Sequence, residues 1–524
     1  MHCASKKFSS KFCIVIYTCF MLLYYFKTFR TLLVQKIDIE VNIMTDKEIM
    51  DDVLAEFSNL AAIPRKSNHE EAVSNFLKER ALSFGCKVVQ DEKFNLIIDK
   101  DAAKGCEAWP RVIIQGHMDM VCVAAEGVQY DPLTSPIKII NDGEFLRADG
   151  TSLGADDGIG VAAAMYLLQQ DFNHGPIRAI FTVDEEQGMT GAKALDAKYL
   201  LDAKYLINCD SEAFDVLTLS SAGSVNVDAE RRITWHKPEH RSAYKFVVKD
   251  LHGGHSGEAI NCGYANAVKI IAQAINSIMK KTEIELASIS SLKARNVIPS
   301  EAEFVFTSPL SNVKVFDVVV AKITDYLKAA YGNVEKNFTV TCVPCELPER
   351  VMSEEDASSI VDFINLSMTG VLKMSQVEEG LVELSANIGP VVTKENAVEI
   401  SVFPRSAVDA LTREIANIYI QLGKRCGIRV VSGEPAPGWP ANPDSQLKHV
   451  VLETFKEQNG FDMKAKSIHA GLECSYFYAK NPNLDIISIG PNNIDIHSPN
   501  ERLELKTLVP HVKLIKGVIE KLDK

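Results

Sequence analysis

Short apolar runs alternate with stretches of helical periodicity along most of this chain. Between residues 46 and 84 apolar positions recur at helical spacing (Ile49, Val53, Leu54, Phe57 and Leu60, then Ala72, Val73, Phe76 and Leu77). Ile63-Pro64-Arg65 interrupts them, which predicts two helices. Four continuous apolar runs follow, at 95–99, 111–115, 177–183 and 205–208, with helical stretches between them. Strands that are apolar throughout and separated by helices are covered on both faces. The expected fold is therefore α/β, a mostly parallel sheet with helices on both sides.

Near Ser220 to Ser224 the texture changes. Alternation at 244–248, strands near 302–306, 338–343 and 398–403, and helices over 265–281, 313–331 and 407–422 predict a separate α+β domain, residues 226–432, inserted into the first as a lid or dimerisation-type domain. Past a Gly/Pro-rich connector at 433–440 the alternation resumes, with a strand at 485–489. The first domain thus comprises 44–225 and 433–524. Two domains also fit the length, because single cores stop growing near ~250–300 residues and this chain has 524. The tandem copies of Leu-Asp-Ala-Lys-Tyr-Leu at 195–200 and 201–206 are far shorter than the ~20–50 residues of a solenoid repeat, and read as a helix end beside a strand start.

Composition narrows the function. A hydrophobic share of 46% with 24% charged residues is that of a folded globule, and a net charge of -13 repels phosphate backbones, which excludes nucleic acid as a partner. The 12 cysteines are scattered, as free thiols in a reducing compartment are. Cys342 and Cys345 have metal or redox spacing, but no second pair completes a site and their flank reads as a strand. The apolar run from Phe12 to Phe26 falls short of the ~17–25 residues that span a bilayer, and Met44 opens a natural cytosolic start. Residues 1–43 are read as a leader dispensable to the rest, with a signal anchor or cleaved signal as alternatives; only a retained leader would bring a membrane into play.

The candidate chemistry lies just after the strands. The run at 111–115 leads into His117 and Asp119, that at 177–183 into Glu185 and Glu186, that at 205–208 into Asp210, and that at 485–489 into His497. Open α/β sheets bind ligands beyond the carboxyl ends of their strands, so these side chains are expected to converge. Each alone has a structural explanation. Together, two imidazoles and several carboxylates suit zinc, manganese or cobalt rather than calcium. Two such cations ~3.5–4 Å apart need a shared carboxylate. Asp156 is the candidate, in the glycine-rich loop 153–160, which matches neither nucleotide fingerprint.

These motifs, with Gly253-Gly-His255-Ser-Gly257, Arg295-Asn296-x-Ile-Pro299, His469-Ala-Gly-Leu-Glu473-Cys474 and His497-Ser-Pro, resemble the M20 metallopeptidases, in particular their aminoacyl-histidine (cytosol non-specific) dipeptidase branch. The resemblance runs in order from about residue 44 to 520. It implies a hydrolase of dipeptides, Xaa-His and other short unblocked peptides, with two divalent ions per chain, zinc first and manganese or cobalt as alternatives. His117 and Asp210 would hold one ion, Glu186 and His497 the other, and Asp156 both. Asp119 would orient His117, and Glu185 would act as general base. His255 would steady the oxyanion, Arg405 with Asn296 would take the substrate carboxylate, and Glu473 either meets the substrate ammonium or, like His469, is a structural hydrogen-bonder. Asp157 stands where bacterial relatives often carry Asn, one more negative charge beside the bridge. The resemblance leaves monomer and homodimer both open. Alternatives with the same chemistry are a tripeptidase, another exopeptidase or an N-acyl amino acid deacylase. A non-catalytic binding protein is disfavoured because Glu185 and every candidate ligand are present.

Overall fold

The computed structural model describes residues 44–291, 294–376 and 378–523. The leader, with its apolar run from Phe12 to Phe26, lies outside the described residues. By its contacts the chain divides into residues 1–55 and 56–524, and the first unit contributes the opening turns of the helix Asp46–Ala61. Both large sheets belong to the second unit.

The first sheet has eight strands, in the order Lys87–Gln90, Leu96–Lys100, Ile177–Thr182, Val112–His117, Tyr205–Asn208, Asp485–Ser488, Val216–Thr218 and Lys464–Lys466. Its centre is parallel: Val112–His117 pairs in that sense with Ile177–Thr182 and with Tyr205–Asn208, which in turn pairs with Asp485–Ser488. The flanks mix antiparallel pairs into it. The four central strands are buried throughout, as their apolar runs require. Both faces are covered by helices. Ile113, Ile180, Leu206 and Ile486 share one cluster with Phe477 of the helix Cys474–Lys480. On the opposite face Gly116 lies against Val161 of the helix Ala155–Gln169.

Residues 227–432 form a second sheet, antiparallel, in the order Thr339–Cys345, Ser242–Lys249, Ala302–Ser308, Glu285–Ser291, Val382–Thr393, Ala397–Ser406, Val227–Arg232 and Arg429–Ser432. The helices Ala267–Met279, Val313–Tyr331, Glu354–Leu366 and Asp409–Cys426 bury their apolar faces with it in one core. Asn266 caps the first of these helices, accepting the N–H groups of Val268 and Lys269, and Ser353 caps the third through Asp356. The duplicated hexapeptide takes two conformations. Residues 197–199 form a 3₁₀ turn with Leu195 buried, whereas Leu201 is 64% exposed and the second copy runs into a sheet strand. Cys342 and Cys345 are both free, in the edge strand Thr339–Cys345. Among the described residues no helix is long and apolar enough to cross a membrane.

Close packing fixes the glycine loop. A Cβ on Gly160 would lie 2.2 Å from Asp157 Oδ1 and 2.6 Å from Cys209 Cβ, so the helix Ala155–Gln169 reaches the sheet only with glycine there. Gly160→Ala is expected to destabilise the protein by about 1–3 kcal/mol, as overpacking does. Urea unfolding checks this, and an unchanged midpoint would contradict it.

Candidate metal centre

Sequence dictates where each ligand candidate stands. His117 ends the central strand Val112–His117, and Asp210 follows Tyr205–Asn208 by two residues. Asp156 opens the helix Ala155–Gln169 behind Gly154, whose φ of 69° favours glycine, and its peptide bond to Asp157 is cis. Glu185 and Glu186 begin the short helix Glu185–Gly188, and His497 has a φ of 56° in the turn between the short strands Asn493–Ile494 and Arg502–Glu504.

These residues form two trios sharing one member: His117, Asp156 and Asp210, then Asp156, Glu186 and His497. His117 Nε2 lies 3.2 Å from Asp156 Oδ1 and 3.4 Å from Asp210 Oδ1. His497 Nε2 lies 3.1 Å from Asp156 Oδ2 and 2.9 Å from Glu186 Oε2. Asp156 thus turns one oxygen to each trio. Asp119 faces the far side of His117, Oδ1 to Nδ1 at 3.3 Å, and accepts the N–H groups of Glu185 (3.0 Å) and Glu186 (3.2 Å) and the Ser67 hydroxyl (2.8 Å). Burial alone would raise its carboxyl, but His117 and these donors outweigh that and hold it below the usual range.

The donor set fits divalent cations. Three carboxylates and two imidazoles face one another, and Glu186 Oε1 is buried with no hydrogen-bond partner, an arrangement that costs about 1–3 kcal/mol unless a ligand satisfies it. Burial and then the charge of Asp210 push Glu185 well up, and burial also pushes Asp210 well up, with Asp156 and Asp157 adding to it. Such crowding of negative charge is relieved by cations.

A second polar group sits on the antiparallel sheet. Arg405, 6% exposed at the end of Ala397–Ser406, stacks over Phe403 at 4.7 Å and directs Nη2 at His255 Nε2 (3.3 Å) and Nε at Ser256 Oγ (3.5 Å). The Ser256 N–H donates to the Asn296 carbonyl at 2.8 Å, while Asn296 itself is exposed. Burial, then Arg405, push the His255 imidazole down, and His497 is among the charges acting on it.

The family description "Peptidase family M20/M25/M40" matches residues 113–521. The chain is 30% identical over 468 residues to the cytosol non-specific dipeptidase of Escherichia coli (strain K12), covering 89% of this chain and 96% of that one. The chain belongs to peptidase family M20. Among solved structures this M20 peptidase resembles an aminoacylhistidine dipeptidase from Vibrio alginolyticus, with a TM-score of 0.81, 30% identity, and 90% and 96% of the two chains covered. An aminopeptidase from Bacillus cereus, 17% identical with a TM-score of 0.53 over 91% and 99% of the chains, shares the fold. The M20 chain is thus a peptide-bond hydrolase.

Two acids singled out in the sequence of this M20 chain, Glu473 and Asp157, are buried close to the trios. Glu473 has 0% exposure: its Oε2 accepts from Gln115 Nε2 (2.7 Å) and Thr182 Oγ1 (2.6 Å), beneath the strand ends. Its other oxygen, Oε1, is buried without a hydrogen-bond partner. Asp157 is buried between Gly116 and Gly160, its Oδ2 accepting the His117 N–H at 3.3 Å, and burial pushes its carboxyl well up. His469 bonds Ser385 Oγ through Nε2 at 2.7 Å, and burial, then Arg405, push it down to about 4. Arg65 and Glu501 are among the buried charges that the sequence does not single out. Most of their partners are backbone atoms, which leave no side-chain pattern to find.

Proposed function

We propose that this chain hydrolyses dipeptides, Xaa-His and other short unblocked peptides, with two zinc ions, or manganese or cobalt, in the paired trios. The carrying observation is the sharing of Asp156, one oxygen toward each trio. His117 and Asp210 hold one ion, Glu186 and His497 the other. Bound there, two divalent cations polarise the scissile carbonyl and lower the pKa of water to near neutrality.

The chain's own groups do the rest. Asp119, with Oδ1 3.3 Å from His117 Nδ1, favours the tautomer protonated on Nδ1 that leaves Nε2 free as a ligand. Glu185 takes a proton from the attacking water and delivers it to the leaving amine. The Arg405 guanidinium binds the substrate carboxylate, with Asn296 beside it. His255, whose Nδ1 accepts the Glu258 N–H at 3.4 Å, carries its proton on Nε2 and donates it to the oxyanion. Residues 226–432 act as a lid over the ends of the parallel strands and exclude long chains, supported by hydrogen bonds that join Ser385 to His469 and Glu378 to Ser467. The cytosol is the proposed compartment, supported by the free cysteines.

A panel of Ala-His, Gly-Gly-Gly and N-acetyl amino acids tests the substrate class. Ala-His is expected to turn over, to lose activity to a chelator and to regain it with zinc, manganese or cobalt. Cleavage of the N-acetyl compounds alone would replace the dipeptidase reading with a deacylase.

A further inference from the structure

Two buried charges that the proposed reaction does not use grip the loop carrying Asp156 from opposite sides. Glu501, 3% exposed, accepts four successive backbone N–H groups: Leu153, Gly154 and Ala155 at 2.8 Å each and Asp156 at 3.3 Å. Arg65, 2% exposed, donates to the carbonyls of Met118 and Asp119 at 3.0 Å each and to that of Gly154. Successive N–H groups at the start of a helix form a concavity suited to an anion, and bonds to a charged acceptor are the strong kind. Glu501 therefore fixes the backbone from which the Asp156 carboxylate projects. It stands four residues after His497, so the same side chain ties the loop of the shared ligand to the segment of the second imidazole. Arg65 joins that loop to the one following His117.

We infer that Glu501, with Arg65 opposite, is a positioning residue that aims Asp156 at both trios and so sets metal affinity without touching substrate. The inference rests on Asp156 being the shared ligand, as proposed above. Uncharged Glu501→Gln presents an NH₂ group to N–H donors and cannot hold all four, whereas Glu501→Asp keeps the charge on a shorter arm.

The test is zinc affinity, measured on the full chain by competition with a chromophoric chelator, alongside thermal melting of the metal-free protein. Glu501→Gln is expected to weaken zinc binding by about 10–100-fold, the range for groups that orient ligands. Its metal-free form should still melt cooperatively, kcat should recover at high zinc, and KM should stay at the wild-type value. Glu501→Asp should fall between the two, and it carries the test if Glu501→Gln does not fold. Wild-type zinc affinity in the folded variant, with only a lower melting temperature, would overturn the inference. Asp156→Asn separates the two layers: wild-type zinc affinity in that variant would overturn the shared-ligand reading itself, whatever Glu501 does.

Discussion

Turnover of Ala-His by a Glu185→Ala variant should fall by roughly 10²–10⁴-fold, the span of general acid–base catalysis, with two metal ions still bound. The expectation follows from what Glu185 does and does not touch. Its side chain belongs to neither trio, and its tie to the site is the backbone N–H donated to Asp119, which alanine keeps. Burial and Asp210 push its carboxyl up, the direction that lets a carboxylate act as base nearer neutral pH, while bound cations act in the opposite sense. Steady-state kinetics paired with metal analysis gives the answer. Loss of metal together with activity would mean that Glu185 is a ligand.

Asp156→Ala should be as severe by a different route. Two dications sharing one carboxylate would repel by on the order of 16 kcal/mol if ~4 Å apart at an effective dielectric of 20, four times the value for unit charges. The shared carboxylate is what offsets this between them. Without it, His117 and Asp210 remain on one side and Glu186 and His497 on the other, with no bridging charge. Metal content is expected to drop from two ions per chain to one or none, and activity to background. An Asp156→Ala protein that holds two ions and works at the wild-type rate would remove the bridge from the mechanism.

Much of the first sheet was legible because a strand covered on both faces has little choice of residue. The runs at 111–115, 177–183, 205–208 and 485–489 correspond to Val112–His117, Ile177–Thr182, Tyr205–Asn208 and Asp485–Ser488. Polar residues directly after such strands have to serve the sheet's open end, which is why the convergence of His117, Asp210 and His497 was readable. The flanks were less so: short antiparallel edge strands such as Lys87–Gln90 are half exposed and carry no apolar run. In the second sheet, Val382–Thr393 went unseen because Ser385, Asn387, Gly389 and Pro390 break its alternation and a register shift interrupts its pairing with Ala397–Ser406. The helix Glu354–Leu366 did announce itself through the Ser353 cap, a signal the periodicity reading passed over. Glu473 could not be placed from sequence, since its neighbours Gln115 and Thr182 are brought to it only by the packing of the helix Cys474–Lys480 on the sheet.

The parallel pairing of Tyr205–Asn208 with Asp485–Ser488 joins neighbours between which the whole second sheet is synthesised. A nascent chain on the ribosome therefore completes His117, Asp156 and Asp210 before the second sheet, and reaches His497 and Glu501 only after it. Until then the half-built centre lacks the second imidazole and the anchor of the Asp156 loop. A chain stopped before residue 497 lacks both together, and is expected to be an unarmed hydrolase.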